Sequence, residues 1–175
     1  MNLVFRLQSI VLKRTFFIVL FSCLATVFSS AKVFSQHFEL KLLGSYHTGV
    51  FAQGAAEIAA FDPASKKLFF VNANAATVDI LDLSNPAQPV KINSINATAY
   101  GASANSVSVK KGVIAVAIEA NPNQNPGKVV FFDTNGKFIS EVAVGALPDA
   151  VVFTPDGNKV VVPSLGDGDF SESNL

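Results

Sequence analysis

Beyond Ser35 the apolar residues never hold a helical spacing for long. They come in short alternating or continuous runs separated by Gly, Pro, Asn and Asp, which is the pattern of an all-β chain with regular turns. Phe38, Leu40 and Leu42 alternate with Glu39 and Lys41 and predict a first strand. Ile58 to Phe61, Lys67 to Val71, Thr77 to Leu83 and Val90 to Ile95 form a group of four. Val107 to Val109, Val113 to Ile118, Lys128 to Phe132 and Lys137 to Val144 form a second group, and Val151 to Phe153 with Val160 to Val162 begin a third.

The groups repeat. "EIAAFDPASKKLFFVN" starts at Glu57, "SVSVKKGVIAVAIEA" at Ser106 and "DAVVFTPDGNKVVV" at Asp149, so the steps are 49 and 43 residues. Four strands in about 40–50 residues is the size of a β-propeller blade. Asp62 to Lys67 and Thr154 to Lys159 read as turns between the first two strands of a blade. Pro63 and Pro155 preset φ, and Gly157 can take a positive one. The expected fold is therefore a β-propeller-like repeat domain; an open β-sandwich of hairpins is the alternative. A closed propeller needs about 4–8 blades. The chain holds about two and the start of a third, so an incomplete fold, the amino-terminal part of a longer protein, is expected. Phe38 to Leu43 would then close the ring as the outer edge of a final blade, and open blade edges would permit self-association. Residues 163–175 are polar and are expected to form a tail with no further strand.

Charge changes the picture at the start of the chain. Arg6, Lys13 and Arg14 are the only charges in the first 31 residues, and an apolar run to Phe28 ends in Ser29-Ser30-Ala31. This is the layout of a secretory signal, residues 1–31, with cleavage after Ala31 or after Ser35. The 17 uncharged residues from Thr15 to Ala31 fall short of the roughly 20 of a membrane span. Leu20 to Cys23 faintly resembles a lipoprotein processing box, but the residues after it stay apolar. The expected mature domain covers 36–162, with no membrane span and an exported, periplasmic or cell-surface location. Three of the thirteen basic residues lie in the signal, which leaves ten against thirteen acidic ones and no Arg. That argues against nucleic acid as a partner, since such surfaces need a basic patch. Cys23, the sole cysteine, lies in the signal too, so the mature chain has no thiol for disulfides, zinc or nucleophilic catalysis.

The phrases at 55–89, 105–120, 127–137 and 144–162 together resemble the choice-of-anchor I domain family over about residues 40–162. Those are exported bacterial surface proteins with animal relatives among mesenchyme-specific cell-surface glycoproteins. The resemblance implies a propeller-like domain displayed outside the cytoplasm and held by varied carboxy-terminal anchors. Some relatives are described as alkaline phosphatases. Where the family tends to continue Ala-Asn-Glu-Gly-Glu-Pro, this chain has Pro163-Ser-Leu-Gly-Asp-Gly-Asp169. Truncation, a reading-frame disruption and a divergent paralogue each account for that departure.

Candidate chemistry is sparse. Glu57 and Asp149 occupy equivalent places at the start of inner strands, where carboxylates converging on a channel would suit a hard cation such as calcium, which takes 6–8 oxygen ligands. The alternative is that each caps a turn. Asp167, Asp169 and Glu172 lack the spacing of a calcium loop and read as a solvated tail. His37 and His47 have no metal-ligand spacing. Ser106 has no Gly-x-Ser-x-Gly elbow around it. Asn96-Ala-Thr98 fits an N-glycosylation acceptor. No catalytic residue is assigned. Two functions remain open: an exported binding or structural module for an unknown surface ligand, associated with calcium, and part of an alkaline-phosphatase-like metallohydrolase. The second would need several Asp/His ligands together.

Overall fold

The structure is a computed structural model that describes residues 39–165 and, by backbone alone, 170–174. The predicted signal, with Cys23, and residues His37, Phe38, Asp167 and Asp169 lie outside the described residues, as does the side chain of Glu172. The chain divides after Lys41 into two units. Of the first, only residues 39–41 are described, and they carry no regular element.

The second unit is all-β. Its first sheet joins β1 (Ala59–Asp62), β2 (Lys67–Asn72), β3 (Thr77–Asp82) and β4 (Val90–Asn96) as antiparallel neighbours in chain order. The second sheet repeats the plan with β5 (Ser103–Lys110), β6 (Val113–Glu119), β7 (Pro126–Asp133) and β8 (Phe138–Ala146). The third holds β9 (Val152–Phe153), β10 (Lys159–Pro163) and β11 (Phe170–Asn174). Registers of the first and third sheets coincide at an offset of 92 residues. Ala60 faces Phe69 as Val152 faces Val161, and Phe61 faces Leu68 as Phe153 faces Val160.

The turns are fixed locally. Asp62 Oδ2 accepts hydrogen bonds from the Ser65 amide (3.0 Å) and hydroxyl (2.6 Å). At the matching turn of the third sheet, the Gly157 amide donates to the Thr154 carbonyl at 2.8 Å, with Gly157 at φ +70°. That left-handed conformation is one glycine adopts without a Cβ penalty.

The three sheets stack face to face. Phe69, Val71, Val78 and Ile80 of the first meet Ile114, Val116, Ile118, Val130 and Phe132 of the second. The odd-numbered residues Ala115, Ala117, Val129 and Phe131 point the other way and meet Val151, Phe153, Val160 and Val162. The middle sheet is thus covered on both faces, which is why β6 and β7 read as continuous rather than alternating apolar runs. β5 packs against β1 and β2 on one side and β9 on the other, so the first strand of each sheet is innermost. This is a β-propeller-like arrangement of two complete four-stranded blades and a third sheet of three strands. Polar side chains fix neighbouring blades at one end. Lys67 Nζ donates to Thr134 O (3.0 Å) and Asn135 Oδ1 (2.7 Å), and Lys111 Nζ to Asn158 Oδ1 (3.3 Å).

Two expectations are corrected. Residues 39–43 form no strand, and Leu40 and Leu42 are exposed. Alternation needs a neighbouring strand to take up its backbone groups, and these residues have none among the described ones. Second, the chain does not run out of strands at Val162: β11 pairs with β10, with Glu172 opposite Val161. Ladder pairing uses backbone groups only, so a polar sequence can extend a sheet at its edge. Residues 42–56, though without a strand, run against the first sheet. Tyr46 packs on Phe70 with ring centroids 6.1 Å apart, and the Asn74 amide donates to Gly54 O at 3.0 Å.

Candidate functional site

The innermost strands all begin at the same end of the stack. The segments that lead into them, together with the β2–β3 and β6–β7 connections, form one face. The structure places both predicted metal residues there. The Glu57 amide donates to Val71 O and the Asp149 amide to Pro163 O, each at 3.1 Å, so the two residues occupy the same place in their sheets, again 92 residues apart. Both side chains are exposed. No hydrogen bond or ion pair joins the two carboxylates, and no group of three or more His, Cys, Asp or Glu gathers among the described residues. His47 is exposed beside the Ser45 hydroxyl at 3.3 Å. Ser106 is buried, and its Oγ accepts from the Val151 amide at 3.2 Å, tying the second blade to the third. The amide and hydroxyl of Thr98 both donate to Asn96 Oδ1, at 3.0 and 2.8 Å.

The sequence reading missed a set of residues on the same face. Asn105 Nδ2, on β5, donates to Glu119 Oε2 at the end of β6 (3.3 Å) and to Pro148 O (3.2 Å), the residue before Asp149. One carboxamide thus places Glu119 beside the segment that carries Asp149. Gly127 permits this approach: a Cβ there would lie 2.5 Å from Pro148 Cδ and 2.8 Å from Ile118 O. Next to this junction opens a cleft of about 330 Å³ lined by Thr98, Tyr100, Glu119, Asn121 and Lys128 among others. Lys128 Nζ is paired with Glu141 Oε1 at 2.7 Å. The signal that could have found the cleft is the polar content of Ser103-Ala-Asn-Ser106 inside a strand, followed by a six-residue polar connection at 120–125.

A second polar cluster lies in the first sheet. Asp79 is 1% exposed. Its Oδ2 meets Lys91 Nζ (2.9 Å) and Asn72 Nδ2 (3.1 Å), and its Oδ1 accepts from Thr77 Oγ1 (2.9 Å) and Ser94 Oγ (2.8 Å). Burial pushes this carboxyl up, but the Lys91 ammonium and the three neutral donors outweigh it and hold the group below its ordinary value. With every lone pair in use, the cluster holds three strands together and offers nothing to a ligand.

The model of one family, the choice-of-anchor I domain, matches residues 57–172, well over half of the chain. No curated protein matches the sequence. Among solved structures, the chain is similar to the hydrazine synthase of Kuenenia stuttgartiensis (TM-score 0.56, 16% identity, covering 75% of this chain and 36% of that one). It is also similar to a chain of a nidogen/laminin complex (TM-score 0.54, 12% identity, 70% and 45%). A third likeness is to the periplasmic gluconolactonase PpgL of Pseudomonas aeruginosa (TM-score 0.53, 17% identity, 69% and 39%). At these identities the likeness concerns the fold alone, which is of the β-propeller type. The chain spans 36 to 45% of the length of these structures.

Proposed function

The chain belongs to the choice-of-anchor I domain family, and from that premise we propose that it is an exported module, held at the cell surface or in the periplasm, that binds its ligand through the face where the innermost strands begin. The observation that carries this reading is that one face presents the exposed Glu57 and Asp149 at equivalent places in the first and third sheets, with Glu119 between them in chain order at the edge of an open cleft in the second. The side chains of the opposite end are occupied in fastening blades to one another. The charge layout of residues 1–31 supports export.

Within this reading, calcium bridges between the carboxylates of Glu57 and Asp149 and completes its shell with backbone oxygens and water. Their equivalent anchoring and exposed side chains support it. Antibody labelling of intact cells that make the epitope-tagged full chain tests display; a product confined to the cytoplasmic fraction overturns it. Calcium should raise the melting temperature, because a ligand that binds only the folded state stabilises it by mass action. Asp149→Asn should abolish that rise. An unchanged melt of the wild type removes the cation and leaves both residues as exposed loop carboxylates.

A further inference from the structure

We infer that the cleft at the end of the second sheet binds one ring of a neutral polyhydroxylated ligand, a saccharide unit, through Tyr100, Glu119 and Asn121; this rests on the binding face proposed above. The cleft, at about 330 Å³, lies at the lower end of the range of small-molecule sites, with room for a single six-membered ring. Its chemistry selects among ligands of that size. Glu119 repels an anion. One carboxylate, already holding the Asn105 amide, falls far short of the oxygen shell a hard cation needs. The only ammonium in the cleft, Lys128, is neutralised by Glu141. What is left is a site with a single uncompensated carboxylate, Glu119, rich in groups that hydrogen-bond to hydroxyls.

Those groups are available. Among the described residues, neither the Tyr100 hydroxyl nor the Asn121 carboxamide has a hydrogen-bond partner. The Thr98 hydroxyl spends its proton on Asn96 and presents its lone pairs. The site therefore offers both donors and acceptors, as a hydroxyl-bearing ring requires. Ala120 and Pro126 supply apolar surface for the C–H face of such a ring. Tyr100 is fixed before any ligand arrives. Its ring stacks on Phe138 at 5.7 Å with planes 7° apart, and meets Phe132 edge-on at 5.4 Å. A group held in place by aromatic packing loses little freedom on binding.

The test is a titration of the ¹⁵N-labelled full chain with the methyl glycosides of glucose, galactose, mannose and N-acetylglucosamine, followed by NMR. At least one should shift the amides of Gly101, Glu119, Gly127 and Lys128 saturably. Asn121→Ala and Glu119→Gln should each weaken that binding by about tenfold, the effect of losing one hydrogen bond to a bound ligand. Asn121 is exposed in a connection, so its variant keeps the fold and carries the test alone if Glu119→Gln does not. No saturable shift from any glycoside up to about 50 mM, far above a millimolar Kd, overturns the inference. So do saturable shifts confined to other residues, or a glutamate or lysine titration that fills the cleft where the glycosides do not. Surface labelling that succeeds without glycoside shifts removes this inference alone; shifts with a cytoplasmic product remove the export reading alone.

Discussion

Lys91 Nζ stands 2.9 Å from Asp79 Oδ2, and the carboxylate it meets is almost completely buried while the lysine side chain stays 38% exposed. The pair joins β4 to β3, and Asn72 extends it to β2. Removing the carboxylate strands four donors at once. Asp79→Ala is expected to cost about 3 kcal/mol, as for breaking a buried charge pair from one side. Lys91→Met leaves three neutral donors on the carboxylate and should cost clearly less. Urea denaturation of the two variants checks the order; equal losses would mean that the ion pair, rather than the full donor set, holds the cluster.

Acid should unfold the protein partly through this residue. The Asp79 carboxyl titrates lower folded than unfolded, where it sits near 3.9. The folded chain therefore binds fewer protons, and the stabilisation is complete above the unfolded value and lost as pH falls through the folded one. Asp82, Asp133 and Asp156 are lowered in the same direction by donors of their own turns: Ser84, the Lys137 amide and the Thr154 hydroxyl. Melting temperatures of wild type and Asp79→Asn should differ most near neutrality and converge below about pH 4. A gap that stays constant across that range would remove Asp79 from the acid response.

Phe131 and Phe132 are adjacent in β7 and equally buried, yet they belong to different inter-blade cores. Each, cut to alanine, should cost about 3–5 kcal/mol. The losses should differ in place. Phe132→Ala should speed amide exchange in the first sheet, around Ile80, and Phe131→Ala in the third, around Val160. Matching exchange patterns from both variants would mean that the stack opens as one unit rather than interface by interface.

The eight strands of the first two blades were legible because their apolar runs are bounded by turn residues that act locally, such as Asp62-Pro-Ala-Ser65 and Asp133 to Gly136. Legibility failed where polarity is satisfied at a distance. β5 begins at Ser103, not Val107, because Ser106 and Asn105 place their polar groups on Val151, Glu119 and Pro148 of other strands and segments. Asp79 reads as a solvent-facing position of an alternating strand until its four cross-strand donors are known. Glu57 and Asp149 stood out in the sequence because of the repeat, and their backbone anchors are indeed equivalent. Glu119 and Asn121 were missed because the cleft is assembled from two connections and the strand ends beside them, with no shared spacing. Leu40 and Leu42 show the converse: alternation without a partner is not a strand.

The last prediction concerns how the third sheet is fastened to the second. The segment before β9 is held by Asn105 on the Pro148 carbonyl, by Ser106 on the Val151 amide and by the close seat of Pro148 on Gly127. A methyl group at Gly127 meets ring carbons of Pro148 on one side and the backbone oxygen of Ile118 on the other, and neither is a flexible side-chain end. The segment must therefore lift. Gly127→Ala should cost about 1–3 kcal/mol by overpacking. Because the strain acts at one seam, the amides of Asp149 and Val151 should exchange faster, while that of Glu57, which makes the equivalent bond to Val71 O in the first sheet, should not. Asn105→Ala should loosen the same two amides through loss of a hydrogen bond, without overpacking. Since both changes act on one contact, the double variant should cost less than the sum of the singles. Strict additivity would mean that Gly127 and Asn105 hold the segment independently, and the single-seam account of this junction would fail.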